Sequence, residues 1–287
     1  MPGESSSSKD LPGDHWSDMT SRWVHVGRPL KPTPDDIEVF ERFAASTAQK
    51  VGRGLEALLL GVTPEIVGCR WPQGTRLTAV DSSRAMINAF WPAPGAPVAR
   101  IAICADWRDM PLRSSTIDLA LGDGCNAALP FTDGVSVMIR EVARVLRPEG
   151  LFLLRVFVRP EPAETVEDVA RDLAAGRIGS VHVLKWRLFA ALCDDVEIGV
   201  RLGDVWDVWN RIRNLAAPYS PAPGWSAAEM GTIEIYRGDT ETRFYFPTLA
   251  QLRALMSLRF ASQRCIYGDY ELADRCPIMI LGKPSSV

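Results

Sequence analysis

Three acidic residues stand at the ends of three successive apolar runs: Asp81 after "LTAV", Asp106 after "IAICA" and Asp123 after "DLALG". Asp81 follows Gly61, where the first such run ends, by about twenty residues. That spacing suits a carboxylate accepting both hydroxyls of a ribose laid across a sheet edge. Taken alone, Asp81 is equally well read as a cap on the Ser82-Ser83 turn. Asp106 can accept from an exocyclic amine, and the adjoining Trp107 offers a flat face to a purine. Gly122 and Gly124 flank Asp123 and let a ligand approach the backbone. Acids at the carboxyl ends of neighbouring strands mark the ligand crevice of an open α/β sheet.

The elements that must position these acids are short and nearly continuous in apolar residues: 57–62, 76–83, 99–106, 116–124 and 150–158. Such runs read as strands of a parallel sheet covered on both faces, with crossover helices between them. A helix is predicted over 133–147, with Val137, Met138, Val142, Val145 and Leu146 on one stripe and a stop at Pro148-Glu149-Gly150. Before the sheet, residues 16–55 read as a helical cap, its second helix opened by Thr33 or Asp35. After 158 the pattern turns mainly helical, as an insertion over 159–230. Residues 231–246 read as a hairpin turning at Gly238-Asp239. Thr248 caps a further helix, and two strands, 262–270 and 276–283, finish the chain. Residues 1–15 read as a disordered polar tail, 56–158 as the ligand-binding core and 231–287 as the rest of the sheet.

In that order, these segments resemble the class I S-adenosylmethionine-dependent methyltransferases. "REVARVLRPEGLFLL" (140–154) is similar to that family's helix, turn and fifth strand, and "LTAVDSSRAMI" (77–87) to the motif whose acid binds ribose. "CADWRDMPL" (104–112) resembles the adenine-binding segment and "IDLALGDG" (117–124) the fourth strand and its loop. The resemblance covers about 50–158 and, more loosely, the last fifty residues. It implies a Rossmann-like α/β fold, a mostly parallel sheet with an antiparallel last strand, helices on both faces and a helical insertion after strand 5. It also implies S-adenosyl-L-methionine as cofactor, S-adenosyl-L-homocysteine as product, and a methyl acceptor. Asp81 and Ser82 would then hold the ribose, Asp106 and Trp107 the adenine, and Asp123 and Gly124 would lie near the methionine part.

The family's first motif departs most. Where a Gly-x-Gly-x-Gly turn is usual, this chain has Gly61-Val62-Thr63-Pro64-Glu65. The cofactor has no phosphate, so a phosphate-cradling loop is not required. Gly61 permits close approach, Thr63 can serve the carboxylate and Glu65 the amino group. The alternative is a catalytically inactive relative acting as a partner or regulatory protein. An enzyme of this kind works by in-line displacement, with a general base only where the acceptor must lose a proton. Among three histidines His182, in the insertion, is the candidate. Trp186, Trp206, Tyr219 and Trp225 are candidates for an acceptor pocket, or else a small core between lid and sheet. "HWSDMTSRW" can fold over the cofactor, with Arg22 or Arg28 available to a carboxylate.

A formal net charge of −3 gives no footprint for nucleic acid or anionic membrane, and no apolar run approaches a bilayer span. The acceptor is therefore expected to be a small molecule, the location cytoplasmic, and a homodimer is compatible with the sequence. Six cysteines without a Cys-x-x-Cys pair read as reduced thiols, with no metal site. A nicotinamide-dependent oxidoreductase is disfavoured because the phosphate-binding glycines are missing.

Overall fold

Leu58 and Leu60 belong to one hydrophobic layer, and Ala57 and Leu59 to another. This two-residue period is that of a strand buried on both faces. The same sorting holds along the neighbouring strands. Ala120, Phe152, Leu154, Met279 and Leu281 join the first layer, while Leu119, Leu121, Leu153, Ile278 and Ile280 join the second. The computed structural model describes residues 14–92, 99–214 and 225–283. The predicted tail lies almost wholly outside the described residues.

The strands are β1 (Glu56–Leu60), β2 (Arg76–Asp81), β3 (Ala99–Cys104), β4 (Ile117–Asp123) and β5 (Leu146–Arg155). A two-residue ribbon follows, β6 (Val200–Arg201) with β7 (Arg243–Phe244), and then β8 (Ser262–Ile266) and β9 (Ile278–Gly282). Seven of them form one sheet in the order β3-β2-β1-β4-β5-β9-β8, with β9 antiparallel to both neighbours. Strand β1 lies between β2 and β4, parallel to each. The crossovers therefore leave β1 in opposite directions and open a crevice beyond its carboxyl end. The chain thus has the Rossmann-like fold expected of it.

The helices are α1 (Asp14–Arg22), α2 (Pro34–Val51), α3 (Pro64–Val67), α4 (Arg84–Phe90), α5 (Asp133–Val145), α6 (Val166–Ala174), α7 (Val181–Leu192), α8 (Leu202–Ile212), α9 (Ala227–Glu234) and α10 (Leu249–Met256). Thr33 opens α2 with a capping box, its hydroxyl accepting from the Asp36 amide while the Asp36 carboxylate accepts from the Thr33 amide. Phe40 and Ala44 press α2 on the second layer, and Val135, Met138, Ile139, Val142 and Val145 press α5 on the first. Helices α6 to α9 form the insertion after β5.

Two expectations need correction. Residues 231–246 are not a hairpin: Ser226 and Glu229 make a capping box that starts α9, and only Arg243–Phe244 pairs as strand, against β6. The run "GTIEIY" alternates as a strand would, yet the local cap decides it as helix. Strand β5 ends at Arg155, not 158, because Val156 and Val158 donate instead to the carbonyls of Pro277 and Arg275. The described cysteines are free thiols.

The element that joins these layers at the crevice is Arg155, fully buried at the end of β5. Its Nη1 donates to Asp123 Oδ1 at 2.6 Å, and its Nε lies 3.3 Å from Asp36 Oδ2. Nη2 donates to the carbonyls of Pro29 and, at 3.3 Å, Lys31. A buried charge so placed must keep its partners, since losing one leaves the others uncompensated. Asp36→Ala removes both a capping carboxylate and one of these partners. The expected loss is about 3–5 kcal/mol of stability, read as a lower urea midpoint. An unchanged midpoint would deny the cluster its role.

Candidate active site

At the carboxyl ends of β1, β2 and β4 lies a cavity lined from the sheet side by Gly61, Val62, Thr63, Asp81, Ser82, Trp107, Asp123 and Gly124. The turn after β1 is built on Gly61, whose φ of +86° suits glycine. A Cβ at Gly61 would meet only ordinary contacts, Trp107 Cζ2 at 3.6 Å and Asp81 Oδ2 at 3.7 Å, so backbone conformation rather than space selects glycine. The turn presents the Val62 amide to Asp81 Oδ2 at 3.1 Å, while the Ser83 amide serves Oδ1 at 2.7 Å. Asp81 is thereby fixed by two amides, each oxygen keeping a free lone pair. Burial raises its carboxyl above the usual range against those two hydrogen bonds.

Trp107 is anchored by its Nε1–H to the Val80 carbonyl at 2.6 Å and lies over the Gly61 turn. Asp123 is buried, and burial pushes its carboxyl up to about 6 in spite of the Arg155 guanidinium. Thr63 is buried at the start of α3, and its hydroxyl is not used as that helix's cap. Gly124 sits at φ +64° with Phe157 against it.

Two acids expected here are elsewhere. Asp106 does not line the cavity; its carboxylate is held by the Arg108 guanidinium and amide. Partial burial pushes that carboxyl up, but the Arg108 contacts outweigh it and hold it below the usual range. Glu65 accepts from Trp23 Nε1 at 3.2 Å and pairs with Lys31 at 3.4 Å, outside the cavity lining.

The opposite wall comes from two distant segments. His15, Trp16, Met19 and Trp23 project from one face of α1 and the turn after it, at helical spacing. Lys185, Tyr236 and Phe244 come from the insertion and β7. His15 joins the two groups, its ring 5.8 Å from that of Tyr236 and 6.0 Å from that of Phe244. Neither Arg22 nor Arg28 lines the cavity.

The aromatic residues expected in an acceptor pocket do not line it either. Trp186 is fully buried and packs edge-on against Phe246. Trp206 and Trp209 both donate to Glu234, and Trp225 donates to the Gly179 carbonyl. Tyr219 lies outside the described residues. His182 is buried beside Gly27 and does not line the cavity; burial pushes it down to about 4. Lys185, absent from the sequence-based candidates, lines the cavity together with Tyr236. The signal for Lys185 was present in α7, which is buried at every position from Val181 to Ala190. A lysine in such a run has no route to solvent.

Residues 60–154 match the family model described as a methyltransferase domain. This match and the strand order above support the resemblance to the class I S-adenosylmethionine-dependent methyltransferases, and with it S-adenosyl-L-methionine as the cofactor. No curated protein sequence matches the chain. Among solved structures it is similar to a protein from Rhodobacter sphaeroides named for the zinc-dependent alcohol dehydrogenases (13% identity, 97% of this chain and 100% of that one, TM-score 0.53). It is also similar to the CurJ carbon methyltransferase (11% identity, 94% and 59%, TM-score 0.51). A third is a possible exported protein from Bordetella parapertussis (16% identity, 94% and 79%, TM-score 0.50). At such identities the likeness shows the fold alone.

The residues present suit that cofactor: a carboxylate with free lone pairs for a ribose diol, an indole face for a purine, and Asp123 and Thr63 for an amino-acid end. The Gly61 turn is testable by substitution. Gly61→Ala, strained at positive φ, is expected to cost about 1–2 kcal/mol in thermal unfolding. Gly231→Ala in α9, where a Cβ meets nothing within 4 Å, is expected to gain up to about 1 kcal/mol. Equal effects at both glycines would count against the turn.

Proposed function

We propose that this protein transfers a methyl group from S-adenosyl-L-methionine to a small, largely apolar molecule held between the sheet edge and the aromatic lid. The observation that carries this reading is one cavity shared by Asp81, Trp107 and Asp123 on one side and Trp16, Tyr236 and Phe244 on the other. When bound, the cofactor supplies an electrophilic methyl carbon on a sulfonium.

The chain's own residues bind, orient and exclude water. Asp81, latched by the Val62 and Ser83 amides, receives a diol without having to reorganise. Trp107 cannot swing from the wall while its Nε1–H is bonded to Val80. Asp123 has one oxygen occupied by Arg155, which leaves the other to an ammonium. Helix α1 and the insertion close the far side with aromatic rings, and water exclusion strengthens each polar contact inside. Positioning accounts for the larger share of such catalysis, since alignment of nucleophile and methyl carbon is what a displacement chiefly demands.

Calorimetric titration with S-adenosyl-L-homocysteine provides the test. The wild-type protein is expected to bind it, and Asp81→Ala to bind it about ten- to a hundredfold more weakly, as loss of hydrogen bonds to a charged group implies. No binding by folded wild-type protein would sink the enzyme reading and favour a catalytically inactive relative.

A further inference from the structure

Lys185 lies in the cavity wall, fully buried, and its hydrogen bonds among the described residues go to Thr232, not to a carboxylate. Its Nζ donates to the Thr232 carbonyl at 3.3 Å and to the Thr232 hydroxyl at 3.1 Å, and that hydroxyl donates onward to the Glu229 carbonyl at 2.7 Å. Two of the nitrogen's three outer positions are thereby used. The third holds a proton in the ammonium and a lone pair in the amine. The Tyr236 ring centroid lies 5.0 Å from Nζ.

The titratable groups around it are His15 on α1, His182 one turn back on α7, and Tyr236 beyond α9. Asp239 acts on His15 and Glu229 on His182. Asp81 and Asp123 line the sheet side, one held by two amides and the other by Arg155. Burial pushes both imidazoles down to about 4 and Lys185 down to about 7, while it raises the Tyr236 hydroxyl. Near neutral pH the amine is therefore the group in this wall that can take up a proton. A sulfonium in the same cavity adds positive charge and favours the free amine further.

Resting on the methyltransferase reading, we propose that Lys185 is the proton acceptor of the reaction and that the methyl acceptor is an uncharged aromatic molecule bearing one weakly acidic O–H or N–H. The O–H or N–H bond breaks toward the Lys185 nitrogen, whose lone pair forms the new N–H bond. The electron pair left on the acceptor atom forms the bond to the methyl carbon, and the carbon–sulfur pair leaves with sulfur as the thioether. The aromatic wall of Trp16, Phe157, Tyr236 and Phe244 suits a flat molecule. Two carboxylates in the cavity, with Arg155 already paired, disfavour an acceptor that arrives as an anion.

Lys185→Met tests this in three measurements. Calorimetry with S-adenosyl-L-homocysteine reports on the cofactor site alone, and both proteins are expected to bind it within about threefold; loss of binding by wild type would instead overturn the methyltransferase reading itself. The second measurement is the folding constant against pH. A lysine whose pKa drops from 10.5 to about 7 on folding leaves the unfolded chain binding more protons in that window. Relative to the variant, the wild-type folding constant is expected to fall about tenfold per pH unit from 10.5 to 7 and to level off below. The third uses 4-nitrophenol with the homocysteine-bound proteins. Wild type is expected to show the visible phenolate band below the pH at which the free phenol ionises, with the ionised fraction raised about tenfold. The variant is expected to bind the phenol without that band. A flat pH difference, the same band in both proteins, or no phenol bound by wild type would overturn the proposal.

Discussion

The buried Arg155 guanidinium is the constraint on which the crevice depends. It stands at the end of the last parallel strand, where the sheet stops covering its own edge, and reaches Asp123 on β4 and Asp36 on α2. It also takes the carbonyls of Pro29 and Lys31, which lead from α1 into α2. One side chain thus ties the amino-terminal cap to the sheet at the point where the cavity opens. Replacing such a cluster by apolar groups is often neutral for stability. What those groups would not supply is a carboxylate at the end of β4 with one oxygen committed and one free.

The turn after β1 shows which part of a glycine-rich motif physics requires. The positive φ at Gly61 and the Val62 amide offered to Asp81 are kept. The remaining glycines of the family pattern serve close passage of the chain, and here a short helix begins at Pro64 instead, with Thr63 as its first boundary. Proline at the first helical position gives up only an amide that would have had no intrahelical partner. The departure puts a threonine in the cavity wall where the family pattern has a glycine, without closing the crevice.

What was legible in the sequence follows the same physical division. Strands buried on both faces declare themselves as apolar runs, and Thr33 and Thr248 declare helix starts, because each signal is local. Asp81, Trp107 and Asp123 could be placed at strand ends for the same reason. The partners of these acids could not. Arg108 lies two residues from Asp106, but chain proximity does not say which way a carboxylate turns; Arg155 meets Asp36 across more than a hundred residues. The segment 231–246 failed because a strand-like alternation and a helix cap competed, and the cap won. For Trp186 and Trp206 the sequence leaves pocket and core both open; burial of the first and a hydrogen bond from the second to Glu234 take them out of the cavity wall. Residue type alone does not single out Lys185, because a lysine in a helix is ordinarily solvated.

The two walls of the cavity also divide its electrostatics. The sheet side carries Asp81 and Asp123, and the opposite side carries Lys185 with His15, whose imidazole burial keeps neutral. A cation entering between them meets carboxylates that are partly compensated and a lysine whose pKa burial has lowered to about 7. The lid achieves this with few polar atoms: Thr232 is the amine's hydrogen-bond partner, and aromatic edges supply the rest. Helix α7 is buried at every position from Val181 to Ala190 and still delivers one polar group to the cavity, from Lys185. Burial is what makes that group chemically useful, because the same side chain in water would stay an ammonium through the whole neutral range.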